Sequence, residues 1–360
     1  MSNSCLRVNS NVRIYLGLLL LGIIFTICPR TAGALEKQSF IICTQNAHML
    51  GEIKNKKYPG KKKRLDQNKA LAQRIADGNC DIVALQEIYG KTDNAAKQSI
   101  KRFVTELKKA IGKEFEYALA RTNDKFIRNA FVYQPAKVHV ERIDEYYRRL
   151  VPTLAKHAPT RRFNRGPLGL LASVKISPDH PARKFYFLTF HLKSRVGGWK
   201  DLSKTEFEID RLEAADALRT IVSEQQTQLG SDIPLVVLGD RNADSGAASV
   251  EVMSGKLRLE DFQRSCQIKR DLKAQCDVRR DSDLILTGLF DKERRRRGLE
   301  GDAEVYSYKY RKDNYLYDEI YVSAGQVESY FLREGKPMVE MIGTRGEGSD
   351  HLLMKAGAAW

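Results

Sequence analysis

The strongest constraint on the fold is a recurring pattern of strand-length apolar runs, each ending in a polar residue able to do chemistry. "FIICTQN" ends at Asn46, "DIVALQE" at Glu87 and "KFYFLTFH" at His191. "IPLVVLGD" ends at Asp240, with Asn242 two residues on. Near the C-terminus, "YLYDEIYV" carries Asp318 and "GSDHLLM" opens with Asp350 and His351. Short apolar runs rich in β-branched and aromatic residues read as buried strands. Helical patterns lie between them. Leu71 and Ile75 mark a face of a helix that Asp66 caps and Gly78 stops. Ile100, Phe103, Val104, Leu107 and Ile111 follow the spacing of an amphipathic helix. Leu212, Ala215, Leu218 and Val222 point inward from a helix expected around residues 206–223. Many strands of mixed type with a few helices make an α/β or α+β domain.

With no internal repeat and no long Pro/Ser linker, residues 35–360 are expected to form a single domain. The stretch at about 258–297 is charged and irregular, and reads as a basic loop insertion over one face. The N-terminus reads separately. Arg7 and Arg13 precede an apolar run of 14 residues, Ile14 to Ile27, and "AGA" follows at Ala32 to Ala34. That run is shorter than the roughly 20 residues needed to span a bilayer. Residues 1–34 are therefore expected to be a secretory signal, with an uncleaved anchor as the alternative, and the protein secreted or periplasmic. Export permits disulfides. Cys266 and Cys276 flank a polar stretch and are the expected pair, whereas Cys43 and Cys80 sit beside strands and read as small buried hydrophobes.

In layered α/β proteins, ligands gather where strand ends converge. Any one of these polar residues has a plain explanation as a turn former, a strand end or a satisfied core histidine. Their repetition along one chain does not. Carboxylates with an amide make an oxygen-rich site suited to Mg²⁺ or Mn²⁺. Histidines donate hydrogen bonds to a phosphoryl group or move protons near neutral pH, and a neighbouring carboxylate fixes the tautomer. Together they describe in-line attack of water on phosphorus.

The ordered set "TQNAHML", "DIVALQE", "FHLKS", "LGDRNAD", "LYDEIYVS" and "GSDHLLM" resembles the endonuclease/exonuclease/phosphatase superfamily. The likeness spans about residues 38–357 and is nearest to deoxyribonuclease I and secreted bacterial relatives. It implies a four-layer α/β (α+β) sandwich, with two packed mixed β-sheets flanked by helices. It also implies a metal-dependent phosphodiesterase or phosphatase. Glu87 would be the main ligand of Mg²⁺ (or Mn²⁺), with Asn46 and Asp350 close to the ion or its waters and Ca²⁺ as a candidate structural support. His351 would be general base or phosphate donor, oriented by Asp318. His191 would be the second histidine, and Asp240 and Asn242 would contact phosphate, water or metal. Which group is base and which acid stays open. "RNAFVYQPAKV" at 128–138 resembles a hairpin of the family, and "FNRGPL" at 163–168 a strand whose arginine faces DNA phosphates. Arg128, Arg165, Lys193 and Arg241 are the expected phosphate contacts, with bracing of its own loop as the alternative for Arg241. There are departures. The acid that supports the first histidine in pancreatic-type enzymes is replaced by Ile127, and the phenylalanine of their "GDFN" motif is Arg241 here.

A formal charge of +16 favours a polyanionic partner. Basic runs at 54–64, 148–149, 161–165 and 294–297 would bind backbone phosphates without reading sequence. The expectation is an exported, monomeric DNA endonuclease of low sequence specificity. The alternatives are a secreted phospholipid phosphodiesterase of sphingomyelinase type, a phosphatase using the same site, or an inactive binding protein. A sphingomyelinase would show exposed aromatics, yet Trp199 and Trp360 are the only tryptophans.

Overall fold

The computed structural model describes residues 39–360 except 52–53, 56–57, 60, 155–159, 178, 301–303, 345 and 347. The expected signal segment, 1–34, lies outside the described residues. Residues from Gln38 to Trp360 form one compact unit. Among the described residues, no helix is long and apolar enough to cross a membrane.

Two six-stranded mixed sheets make up the unit. The first contains β1 (Phe40–Leu50), β2 (Ile82–Tyr89), β3 (Glu116–Leu119) and β4 (Ile127–Tyr133). The second contains β5 (Val138–Glu145), β6 (Leu168–Val174), β7 (Arg183–His191), β8 (Leu235–Asp240), β9 (Leu286–Gly288) and β10 (Asp318–Ser323). The chain then returns to the first sheet as β11 (Val339–Ile342) and β12 (Leu353–Ala358). Spatial orders are β11-β12-β1-β2-β4-β3 and β9-β10-β8-β7-β6-β5.

Each sheet has one parallel pair at its centre, β1 with β2 and β7 with β8, and its other pairs are antiparallel. A parallel pair needs a crossover, and a helix supplies it in both cases. The first is α1 (Lys61–Asp77) and, after α2 (Asp93–Ile111) packed beside it, the second is α3 (Glu208–Leu229).

Strand side chains alternate between faces, so each central strand feeds two cores. Phe40 and Ile42 of β1 point between the sheets with Phe131, Phe187, Leu238 and Ile320. Ile41 and Cys43 point outward, under Leu71, Ile75, Phe103 and Leu107 of the helices. Leu235 and Val237 of β8 likewise face Leu212, Leu218 and Val222 of α3. The result is the expected four-layer sandwich. Burying one such large apolar side chain is worth about 1.5–3 kcal/mol.

Several local expectations change. Asp66 lies inside α1, because nothing between Gly60 and Gly78 interrupts the helix. The third helix runs on to Leu229, where Gly230 at φ 87° ends it. The 128–138 segment is no hairpin: β4 and β5 lie in different sheets, and residues 134–137 carry the chain across. Residues 163–167 are a turn leading into β6, not a strand. The 258–297 stretch is not a loop insertion. It contains α4 (Leu259–Ser265), a small hairpin closed by the Cys266–Cys276 disulfide, the sheet strand β9, and most of α5 (Leu289–Glu300).

Cys43 and Cys80 are also corrected, since they form a disulfide across 37 residues. The pairing follows from topology: Cys43 faces outward on β1, and the crossover delivers Cys80 beside it. Replacing both with alanine should cost about 2–4 kcal/mol of stability. Urea titration of the variant against the parent measures it, and an unchanged midpoint would refute it.

Candidate active site

The parallel pairs decide where the polar residues meet. β1, β2, β7 and β8 all end at one edge, and the antiparallel strands β10 and β12 begin there. His191 and Asp240 are register partners in the second sheet, as are Asp240 and Asp318. Asn46 pairs with Gln86 in the first.

Backbone irregularities then aim the side chains. The register of β1 shifts between Asn46 and Leu50, and that of β2 between Leu85 and Ile88. His48, Met49 and Glu87 have φ of 46°, 60° and 64°. Non-glycine residues in this region cost of order 1–3 kcal/mol and cluster at functional sites. A bulge turns the strand end and re-aims its residues. Here the two bulges bring Met49 N–H to Glu87 Oε2 at 3.1 Å. On the other sheet, a Cβ at Gly239 would lie 2.0 Å from the Phe190 carbonyl, so only glycine allows β7 and β8 this close.

Asp240 is the centre. It is fully buried, accepting from Asn46 Nδ2 at 2.8 Å and Asn242 N–H at 2.7 Å. Asn46 Nδ2 also reaches Glu87 Oε1 at 3.3 Å, and its own Oδ1 accepts from His48 N–H at 2.9 Å. The amide thereby couples the two sheets. His191 Nε2 lies 3.4 Å from Asp240 Oδ2 and 3.9 Å from Glu87 Oε1. His351 Nδ1 is 2.5 Å from Asp318 Oδ2, and Ser349 ties this segment to the Asn46 carbonyl at 2.6 Å. Asn242, at φ 51°, donates to the Leu192 carbonyl at 3.2 Å.

The charges follow from burial and neighbours. Burial, then Asp318, push the Asp240 carboxyl up to about 7 against the opposing effects of His351, Asn46 and Asn242. Burial alone would lower His351, but Asp318, Asp240 and Asp350 raise it to about 10. His191 is held well below its ordinary range by burial, with Arg165 and His351 adding to it. Its Nδ1 has no hydrogen-bond partner among the described residues, the consequence expected of Ile127 standing where an acid would support it. The site therefore pairs an imidazolium, His351, with a neutral imidazole, His191, around one carboxyl poised near neutrality.

Two donor sets could hold a cation. Ligand atoms of Asp240, Asp318 and His351 lie within 4.8 Å of one another, a set that could hold a cation only once His351 gives up its proton, and Asp318 Oδ1 is buried without a hydrogen-bond partner among the described residues. Glu87, by contrast, keeps 20% of its side chain exposed at the rim, beside the Asn46 amide. Asp350 is also partly exposed and is tied to His48 Nδ1 at 2.6 Å. Burial opposes but His48 prevails, taking Asp350 down to about 2. These donors, mostly carboxylate oxygens, suit a hard divalent cation, and Glu87 is the ligand an incoming ion would reach.

The expected phosphate contacts divide. Arg165 and Lys193 line a cavity of about 250 Å³ that reaches His191. Arg165 donates to the Leu192 carbonyl at 2.6 Å, while its buried Nε makes no hydrogen bond among the described residues and lies 3.8 Å from Asp124 Oδ2. Arg128 is corrected: its guanidinium is spent on Asp93, at 2.9 Å and 3.1 Å, and on the Gly90 carbonyl. Arg241 takes the other of its two expected roles and braces its loop. At 1% exposure it donates to Asp291, Tyr321 and the carbonyls of Ala243 and Leu316. The basic runs are also less free than expected. Arg149 pairs with Glu224, Arg161 with Asp210 and Glu213, Arg294 with Asp244 and Glu304, and Arg296 and Arg297 with Glu293. Side chains at 54–64 fall outside those described.

Sequence reasoning passed over His48 and Tyr308. His48 sits two residues beyond Asn46 in "TQNAHML", a signal that was there to be used. Tyr308 packs its ring 4.9 Å from that of His351, and only the fold brings them together.

The sequence matches no protein-family model and no curated protein. Solved structures do share its fold. The catalytic domain of human Nocturnin, with bound sulfate, aligns at 15% identity over 89% of this chain and 94% of that one, with a TM-score of 0.51. Truncated TDP2 from Caenorhabditis elegans aligns at 16% identity over 91% and 99%, with a TM-score of 0.50.

Proposed function

We propose that this chain, which has the endonuclease/exonuclease/phosphatase fold, is an exported, divalent-cation-dependent phosphodiesterase that hydrolyses the nucleic-acid backbone, DNA with little sequence preference above all. One observation carries the reading: a carboxyl near neutrality, Asp240, sits between a charged and a neutral histidine at the edge where both sheets end. The Cys43–Cys80 and Cys266–Cys276 disulfides support an oxidising compartment.

Asp240 has the character of a general base, because a catalytic base works best with a pKa near the operating pH. It takes the proton of the attacking water as the oxygen–phosphorus bond forms and the ester bond opposite breaks. His351, held charged by Asp318, donates to the phosphoryl group and returns a proton to the leaving oxygen. His191 offers Nε2–H to the same group, a tautomer inferred from the acceptors that surround that nitrogen. Arg165 and Lys193 hold the neighbouring backbone phosphate. Mg²⁺ or Mn²⁺ at Glu87 would supply Lewis-acid charge for the phosphoryl oxygens.

The pH profile has a definite sign. Asp240 must be ionised, so kcat/KM should rise with pH through about 7. His351 must be protonated, so activity should fall as pH climbs through about 10. A profile that instead rose through the alkaline limb would remove His351 as the proton donor.

A second reading has its own observation. Val196, Trp199 and Leu202 are 85%, 84% and 100% exposed on the segment after β7. The exposed apolar surface that a lipid phosphodiesterase needs is thus present. Purified protein given plasmid DNA, RNA, sphingomyelin vesicles and an inositol phosphate, with Mg²⁺ or EDTA, separates the two. The nuclease reading expects Mg²⁺-dependent nicking of plasmid. Intact plasmid beside hydrolysed sphingomyelin would establish the lipid reading instead.

A further inference from the structure

Helix α1 packs outside the first sheet, yet one of its side chains reaches the rim of the site. Gln67 donates its Nε2 amide to the carbonyls of Ala47 at 3.0 Å, His48 at 2.9 Å and Gly348 at 3.0 Å. The first two belong to the bulge of β1, and the third to the segment that leads into β12. In a regular strand, successive carbonyls point opposite ways. Here the positive φ of His48 and Met49 turns two in succession toward one nitrogen. Such strain persists only where the surroundings over-determine it, and Gln67 is one of the groups that do so. Arg74, two turns along the same helix, clasps the His351 and Thr344 carbonyls from deeper in the fold. Arg74 is buried, whereas Gln67 is partly exposed and can be changed without emptying the core.

Both clasped segments carry donors for the expected cation. Asn46 lies one residue before Ala47, and Asp350 two residues after Gly348. Glu87 is tied to the same bulge by the Met49 N–H at 3.1 Å. We propose that Gln67 is a positioning residue for the divalent cation. By clasping the bulge of β1 to the segment before Asp350, it presets the spacing of Asn46, Glu87 and Asp350, so that the ion does not have to gather them. The inference rests on the cation-dependent reading of the site. Groups that orient metal ligands without touching the ion typically carry about 10–100-fold of the affinity.

The test is Mn²⁺ binding, followed by the electron paramagnetic resonance of the free ion. Gln67→Met, which keeps the length and loses the donor, should weaken binding about tenfold or more. Gln67→Asn keeps the amide but is one methylene too short to span the three carbonyls, and should weaken binding as well. The Mn²⁺ concentration that gives half-maximal turnover of methyl p-nitrophenyl phosphate should rise by a matching factor. Gln73→Met is the control: its exposed amide, on the same helix, bonds Asp77 at 2.8 Å, and the variant should bind Mn²⁺ as the parent does. If Gln67→Met lowers the urea midpoint yet binds Mn²⁺ like the parent, Gln67 only pins the helix and the proposal is refuted. An equal loss of affinity in Gln73→Met refutes it too, since the effect would then belong to the helix. A parent protein that binds no Mn²⁺ would remove the cation-dependent reading itself, an outcome distinct from loss of the clasp.

Discussion

His351→Ala should lower turnover of a phosphodiester by about 10²–10⁴-fold and leave the fold intact. The residue contributes a charge and a proton at the reacting group; the buried Asp318 it leaves behind loses its partner, a cost to stability that Asp318 and Asp240 lessen by holding a proton between them. Its backbone ties remain in the variant: His351 N–H still meets Ser349 Oγ, and its carbonyl still accepts from Arg74 at 2.6 Å. The electrostatics shift as well. Without the imidazolium, Asp318 and Asp240 face one another with less compensation, and the rise in the Asp240 pKa that Asp318 causes grows. Residual activity should therefore titrate at a higher pH than in the parent. Circular dichroism and a pH–rate profile measure both effects. Turnover retained within a few-fold would sink the proposed mechanism.

Arg241→Phe, which restores the aromatic of the family motif, should destabilise the protein by about 3–5 kcal/mol. The guanidinium satisfies Asp291 at 2.8 Å, the Tyr321 hydroxyl at 3.0 Å and the Leu316 carbonyl at 2.7 Å, with Glu319 at 3.7 Å. Phenylalanine would leave buried acids unpaired. Glu319 already shows the strain: burial, then Asp291, push it up to about 8 even with Arg241 present. Lysine should rescue poorly, since it cannot reproduce the planar fork that serves Asp291 and two carbonyls at once. Urea unfolding reads the stability, and KM reads substrate binding in the folded fraction. Unchanged stability with a raised KM would return Arg241 to the phosphate contacts.

Much of the site was legible because strand ends are legible. An apolar run of strand length that stops at Asn46, Glu87, His191 or Asp240 marks where a buried strand reaches water. In a sheet built round parallel pairs such ends share one edge. Asp318, Asp350 and His351 were found by the same logic at the start of antiparallel strands. An α/β or α+β domain followed from alternating strand and helix periodicities, which are local properties of the chain, and the four layers followed from the family resemblance.

What escaped depends on partners far along the chain. Arg128 and Arg241 carry the same side chain as Arg165. Asp93 neutralises the first from 35 residues away and Asp291 the second from 50, while Arg165 has only a long contact, 3.8 Å, to Asp124 and keeps a nitrogen without a hydrogen bond among the described residues. Cys43 and Cys80 looked like core hydrophobes until the crossover brought them together. Periodicity and strand ends are written locally, so the site edge and the kinds of side chain delivered there could be read from the chain. Which cations stay available, which histidine is charged and which ring packs against it could not. Those properties arise from burial and from neighbours that only folding assembles.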